Sequence, residues 1–490
     1  MTHSFTFFSN WASRVLPSRI GRVAGPLLLG VLGACGNDSH HQQAQTAATR
    51  AHTVFPSYSP QFPPPPGTKH VFQLSQAYPA SYSPGDAQPW KQFEPAKDYK
   101  GYMHAVLRYC LEGNTGVDFE VQKNPVRRWY HAPWLHYGTN GREYIHGLTR
   151  ERPIPPKEMH PMQTDTLENW AVGFYNAPGG YTIGNVWESD SIPALTKADF
   201  PEGTVSFKLL FTAGTPDQVP FLQGSKEWTA NIYPCPLSTG KHPCEQQRRD
   251  ATVRLLQIDI AVKDRNAGPT GWAFGTFVYD ASQPGATVWD RMVPVGLMWG
   301  DDENVLADLR RPGAFVNPAL RQTVLNTALI KPAGVNFGKR AYMAHHGLGG
   351  RLNGPVDNPI SSCVSCHSKA AITEQGLAAP MANFSRTRAT FDTADFRKFF
   401  TAIASGTGPL VMDGTTYTKL DYSLQLAAGI RNFRQSQIDR QNKAIRATAM
   451  AHLLATKSGS TNKARHPQSL RVDTIAALPE VTREGLRPAH

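Results

Sequence analysis

"LLQIDIAVKD", residues 255–264, sets Leu256, Ile258, Ile260 and Val262 against Gln257, Asp259, Ala261 and Lys263. Apolar and polar side chains alternate with period two, the pattern of a strand with one face in a core. Outward from it, "TVSFKLLF" (204–211), "GWAFGTFVYD" (271–280) and "VWDRMVPVGLMWG" (288–300) continue the strand character, with glycine and proline turns between. No long helical pattern intervenes from about Val121 to Asp302, which predicts an antiparallel β-rich domain, sandwich or jelly-roll-like. A helix leads into it, because Tyr99, Met103, Val106, Leu107 and Cys110 fall on one helical face.

The N-terminus speaks to compartment. Arg14, Arg19 and Arg22 precede an apolar run from Val23 to Leu32, then Gly33, Ala34 and Cys35. The run is too short to span a bilayer and ends in small residues, as an export signal does. Leu32-Gly33-Ala34-Cys35 resembles the lipobox of bacterial lipoproteins, which implies that residues 1–34 are a signal peptide and that Cys35 carries lipid. The expected location is the periplasm, anchored to the envelope at the outer rather than the inner membrane, since Gly36 is not acidic. The formal charge of +12 falls to +9 once the three leader arginines are gone. A basic surface suits an acidic redox partner and is also simply soluble. Residues 35–96 are rich in Gln, Ala, Ser and Pro, with four prolines at Pro63–Pro66, and read as a tether. Cys235 and Cys244 close a short proline-bounded loop and are expected to pair in an oxidising compartment. Cys110 reads as a buried free thiol.

"SSCVSCHSKA" (361–370) holds the chemistry. Cys363 and Cys366 stand three apart and His367 follows directly. A zinc knuckle wants a second ligand pair, and none lies nearby. A thioredoxin-like dithiol wants a βαβ setting, and these flanks are loop-like. Attachment of c-type haem needs only the two thiols and the histidine, and it takes place outside the cytoplasm. On these residues, segment 340–440 resembles the cytochrome c family. The resemblance implies an all-α, class I cytochrome c-like domain over residues 316–455. It also implies one covalent haem c on Cys363 and Cys366, with His367 as proximal iron ligand. A methionine is then expected as sixth ligand from a loop before the last helix. Met412, in "GTGPLVMDGTTYTKLDYSLQL" (406–426), fits that place best, and Met381 in "GLAAPMANF" (376–384) is the competitor. His345 and His346 read as a polar loop. Helices are expected at "PALRQTVLNTALI" (318–330), "TADFRKFFTAIASG" (393–406) and "YSLQLAAGIRNFRQSQ" (422–437), and a basic flexible tail at 456–490.

The domain at 97–315 is harder to read. "RRWYHAPWLHYGTNGREYIHGLTRERP" (127–153) gathers His131, His136 and His146 with several aromatics, and "FYNAPGGYTIGNVW" (174–187) adds another aromatic loop. Such loops on a rigid sheet suit a small ligand, and the histidines lack metal spacing. Asp301, Asp302 and Glu303 read as first-turn acids of a helix. No dinucleotide fingerprint is present and no nucleic-acid partner is expected. The reading is therefore an exported c-type cytochrome for electron transfer, with the β-rich domain docking a partner or ligand and no catalytic residue assigned. The alternative is a periplasmic oxidoreductase whose β-rich domain binds the substrate.

Overall fold

The strand read at 255–264 is the second half of a longer one, β5 (Arg249–Lys263), at the centre of an eight-stranded antiparallel sheet. The computed structural model describes residues 54–83, 87–189, 192–233, 248–303, 320–329, 347, 350–358, 361–381 and 397–458. The other strands are β1 (Thr149–Arg150), β2 (Asn169–Tyr175), β3 (Val205–Thr212), β4 (Glu227–Ile232), β6 (Trp272–Tyr279), β7 (Met292–Met298) and β8 (Thr323–Leu325). They run in the order β1-β2-β3-β5-β6-β7-β8, and β4 pairs with the first part of β5.

Period two assigns the faces. Leu256, Ile258, Ile260 and Val262 are all at most 2% exposed, and in register Ile258 faces Leu209 and Phe277 while Ile260 faces Phe207. Helix α1 (Tyr99–Leu111) covers this face. Its N-terminus is capped by the Asp98 carboxylate, which accepts from Gly101 N at 2.8 Å. Met103, Val106, Leu107 and Cys110 are buried as the helical stripe requires. Gly275 admits the helix, because a Cβ there would lie 3.0 Å from Met103 Cε.

The opposite face is polar yet covered. Gln257 is fully buried, and the sheet residues around it are overlaid by the motif segment and by helix α4 (Leu424–Ser458). Val364, Ile372, Leu420 and Leu426 belong to the same buried apolar cluster as the sheet. A second helix, α2 (Ala177–Val186), follows β2 directly, capped by Asn176.

The expected fold class is corrected here. The antiparallel β-rich part is present, but as one large sheet between α1 and the motif segment, not as a sandwich or jelly roll. Among the described residues there is no all-α class I cytochrome c-like domain. Around the motif stand a five-residue helix α3 (Cys363–His367) and a small sheet of β9 (Ala371–Ile372), β10 (Pro409–Met412) and β11 (Thr415–Lys419), followed by α4. The physical reason lies in the sequence. Asp413 and Gly414 take φ of +49° and +75°, the two left-handed positions of a tight hairpin turn, and β-branched and aromatic residues flank them. The stretch expected to be a ligand-bearing loop is therefore a hairpin. Residues 323–325, expected to be helical, pair as strand β8 because Thr323 and Val324 are β-branched.

Helix α4 crosses the loop before Gly138 closely. An alanine at Gly429 would put its Cβ 2.7 Å from the Pro133 carbonyl oxygen. Elsewhere in a helix, glycine to alanine gains about 1 kcal/mol. Here Gly429→Ala is expected to cost about 1–3 kcal/mol through overpacking, seen as a lower urea midpoint at an unchanged m-value.

Candidate functional site

Helix α3 is short but firmly started. Ser362 Oγ accepts from Ser365 N at 3.0 Å, and Ser365 Oγ accepts from Ser362 N at 2.7 Å, a reciprocal capping box. Ser362 Oγ also donates to Asp301 Oδ1 at 3.2 Å. Asp301, read from sequence as a first-turn acid, is thus a buried acceptor holding the motif helix. Burial raises its carboxyl to about 7, against the pull of Lys369 and Arg351.

In the run 361–370, three residues keep accessible surface while the other seven are buried: Cys363, Cys366 and His367. All three line a cavity of about 640 Å³ between the polar face of the sheet, α3 and the start of α4. The His367 ring lies 4.5 Å from Phe274, and its Nδ1 is 2.9 Å from the Tyr422 carbonyl. A carbonyl only accepts, so Nδ1 carries the hydrogen and Nε2 keeps its lone pair. Burial lowers the imidazole to about 4, so it is neutral at pH 7. Burial raises the Cys366 thiol to about 11 and pushes the Cys363 thiol well above its usual range. Both are therefore protonated thiols near neutral pH, the opposite of a reactive dithiol.

The sheet wall of the cavity is built in register. Gly173, Lys208, Asp259 and Thr276 form one row across four strands, and Tyr175, Ser206, Ala261 and Phe274 form the next. Lys208 Nζ lies 3.4 Å from Asp259 Oδ2. Asp259 Oδ1 accepts from Gln257 Nε2 at 2.7 Å and Thr276 Oγ1 at 3.0 Å. Glu151 and Asp357 complete the charged group. Desolvation works against the Lys208 ammonium, but the three carboxylates outweigh it and raise its pKa. Burial lifts Asp259 to about 6, opposed by Lys208. At the other end, Arg431 of α4 lines the cavity with no acidic or hydrogen-bond partner among the described residues, and burial lowers its pKa.

The two candidate methionines part company. Met381 lines the cavity and is 36% exposed. Met412 is 5% exposed in β10, in a separate cluster with Phe399, Phe400 and Tyr417, and does not line the cavity. The histidines of the aromatic loop do not line it either. His131 is buried, accepting from Ser75 N at 2.9 Å. His136 packs on Trp134, and His146 stacks on Trp228 at 4.1 Å. That loop reaches the cavity through Tyr137 and Arg142 instead. Among the described residues no group of three His, Cys, Asp or Glu side chains is placed to hold a metal ion by itself. Cys35, Cys235, Cys244, His345 and His346 lie outside the described residues. Sequence reading missed Lys208, Asp357, Tyr422 and Arg431. Only Asp259 carried a signal, as a charge inside an alternating strand.

Asp259 makes stability depend on pH. Its native value of about 6 exceeds the ~4 of an unfolded chain. The native state therefore holds a proton over that window that the unfolded chain releases, and this contribution is lost as pH rises through about 6. Asp259→Asn should raise Tm over wild type most at about pH 7.5, with the gain shrinking toward about pH 4.5. A pH-independent difference would contradict the assignment. Comparison with known proteins adds no relative to set beside this site: no family model, no curated protein and no solved structure matches the chain.

Proposed function

We propose that the chain is a c-type electron-transfer protein with one haem bound covalently at the cavity. One observation carries the reading: in an otherwise buried segment, the two cysteines and the histidine of the motif alone keep surface, and all three line one cavity. The cavity's size falls in the ~300–1,000 Å³ range of cofactor sites. The residues fit the group. Each neutral thiol can add across a vinyl group, its sulfur bonding to one carbon and its hydrogen passing to the other. His367 would hold the iron through Nε2, and the Tyr422 carbonyl fixes its tautomer. Arg431, which lines the cavity and has no acidic partner among the described residues, would pair with a propionate. When bound, haem supplies one-electron transfer at the iron.

Of the two methionines, Met381 is the one that would supply a thioether to the iron, because it lines the cavity and Met412 does not. The apolar N-terminal run that ends at Cys35 supports a location in the periplasm with a lipid anchor, at the outer rather than the inner membrane. Basic net charge of the mature chain suits an acidic redox partner. Among the described residues no helix is long and apolar enough to cross a membrane.

A second reading, an oxidoreductase, draws on the Lys208, Glu151, Asp259 and Asp357 group at the cavity wall. Carbon monoxide separates the two. A ferrous iron already holding Met381 should bind it poorly, whereas an open position for a substrate should bind it readily.

The attachment is tested by export with haem-maturation machinery. The protein should stay red after acid–acetone extraction and give a c-type pyridine haemochrome, and Cys363→Ala with Cys366→Ala should lose the colour to solvent. Extraction of the wild-type colour would refute covalent attachment. Met381→Ala should erase the weak red-edge charge-transfer band of thioether-ligated ferric haem and lower the potential, while Met412→Ala leaves both unchanged. The reverse result would restore Met412. Cys35→Ser should move the protein from the membrane to the soluble fraction.

A further inference from the structure

Tyr422, whose carbonyl holds His367, sits in the left-handed region at φ +69°, directly after Asp421 at φ +44°. Neither is glycine, and such positions cost roughly 1–2 kcal/mol each. Two in succession persist only where the surroundings over-determine them. The Asp421 side chain supplies that determination. Its carboxylate accepts from Lys263 Nζ at 2.8 and 2.6 Å, Trp272 Nε1 at 3.0 Å, Phe200 N at 2.8 Å and Gly406 N at 2.8 Å. The side chain is 0% exposed and that of Lys263 12%. Its donors come from β5, from β6 and from two separate loops, so every lone-pair direction is used.

We infer that Asp421 is a positioning residue for His367: anchored to Lys263 and Trp272 of the sheet, it fixes the strained turn that aims the Tyr422 carbonyl at Nδ1. The inference rests on the haem reading for its consequence and on geometry for its mechanism. A carbonyl held on Nδ1–H makes the imidazole a stronger donor through Nε2 and fixes the ring plane. When the turn relaxes, the carbonyl withdraws, the donor weakens, and ferrous iron is favoured. The Tyr422 phenol donates to the Ile403 carbonyl. That bond tethers the ring and leaves the backbone carbonyl to Asp421.

The test uses the full chain and reads more than stability. Asp421→Asn keeps the shape and removes the charge. It should raise the midpoint potential and speed exchange of the His367 Nδ1 proton in the diamagnetic ferrous state by about tenfold, the loss of one hydrogen bond's worth of protection. Lys263→Gln should shift both readouts in the same direction, and Lys263→Arg, which keeps the ion pair, should restore both to near wild type. A lowered Tm with an unchanged potential and unchanged proton exchange would overturn the inference, leaving Asp421 a structural anchor only. If Asp421→Asn does not fold, Trp272→Phe removes one donor from the same carboxylate and is read in the same way. Absence of covalent haem from wild type would sink the haem reading instead. The positioning role is then decided by ¹⁵N-histidine spectra of the same chain. Wild-type His367 should be held as the Nδ1–H tautomer and Asp421→Asn should be mixed. A mixture already in wild type refutes it.

Discussion

The buried pair between Lys263 and Asp421 ties the polar face of the sheet to the segment that closes the cavity. At 2.6 Å, with the carboxylate fully out of water, it is a contact whose desolvation penalty must be met by its geometry. Breaking such a pair on one side typically costs about 3–5 kcal/mol because the other charge stays buried. Here the remaining lone pairs are taken by an indole and two backbone amides, so the penalty is offset. The same carboxylate gathers the loop before β3, the loop before β10 and the turn into α4. The placement of α4 over the sheet, and of the cavity beneath it, follows from that gathering.

A strand with polar residues on one face normally shows that face to water. This one does not, and small residues explain the space left under the cover. Ala171, Gly173, Ser206 and Ala261 leave the wall shallow across three strands. A Cβ at Gly173 would meet Gln425 Nε2 at 2.1 Å, so the start of α4 lies directly on the sheet there. The Tyr175 hydroxyl is 2.8 Å from Ser423 Oγ. The cavity lies where these small sheet residues face α4 and the motif segment.

One cause runs through the site's electrostatics. Removal from water penalises every charged form, so the thiols stay protonated, the imidazole stays neutral, and Asp259 binds a proton near pH 6. Lys208 alone moves the other way, because three carboxylates surround it. The motif is thus held with protonated thiols and a neutral imidazole whose Nε2 keeps its lone pair. The charged row reaches the motif as well, since Asp357 and Asp259 add to burial in raising the Cys363 thiol.

The period-two run at 255–264, the apolar stripe of α1 and the Cys363–Cys366–His367 spacing were legible in the chain because each is local: a strand repeat, a helix repeat, one helical turn. The Asp413-Gly414 hairpin signal was equally local, and reading it would have moved Met412 from a ligand loop to a strand and removed the all-α domain. What the sequence could not supply is what depends on distant partners. Asp421 and Lys263 are 158 residues apart, and His367 and Tyr422 are 55 apart. Nothing in the neighbourhood of any of them marks it as a partner of the other. Which of the two methionines lines the cavity, the polar row of Lys208 and Asp259 turned toward a cavity instead of water, and the carbonyl that meets His367 were decided by the packing of α4 and the motif segment on the sheet. Periodicity says which face a side chain takes, and only tertiary contact says what covers that face.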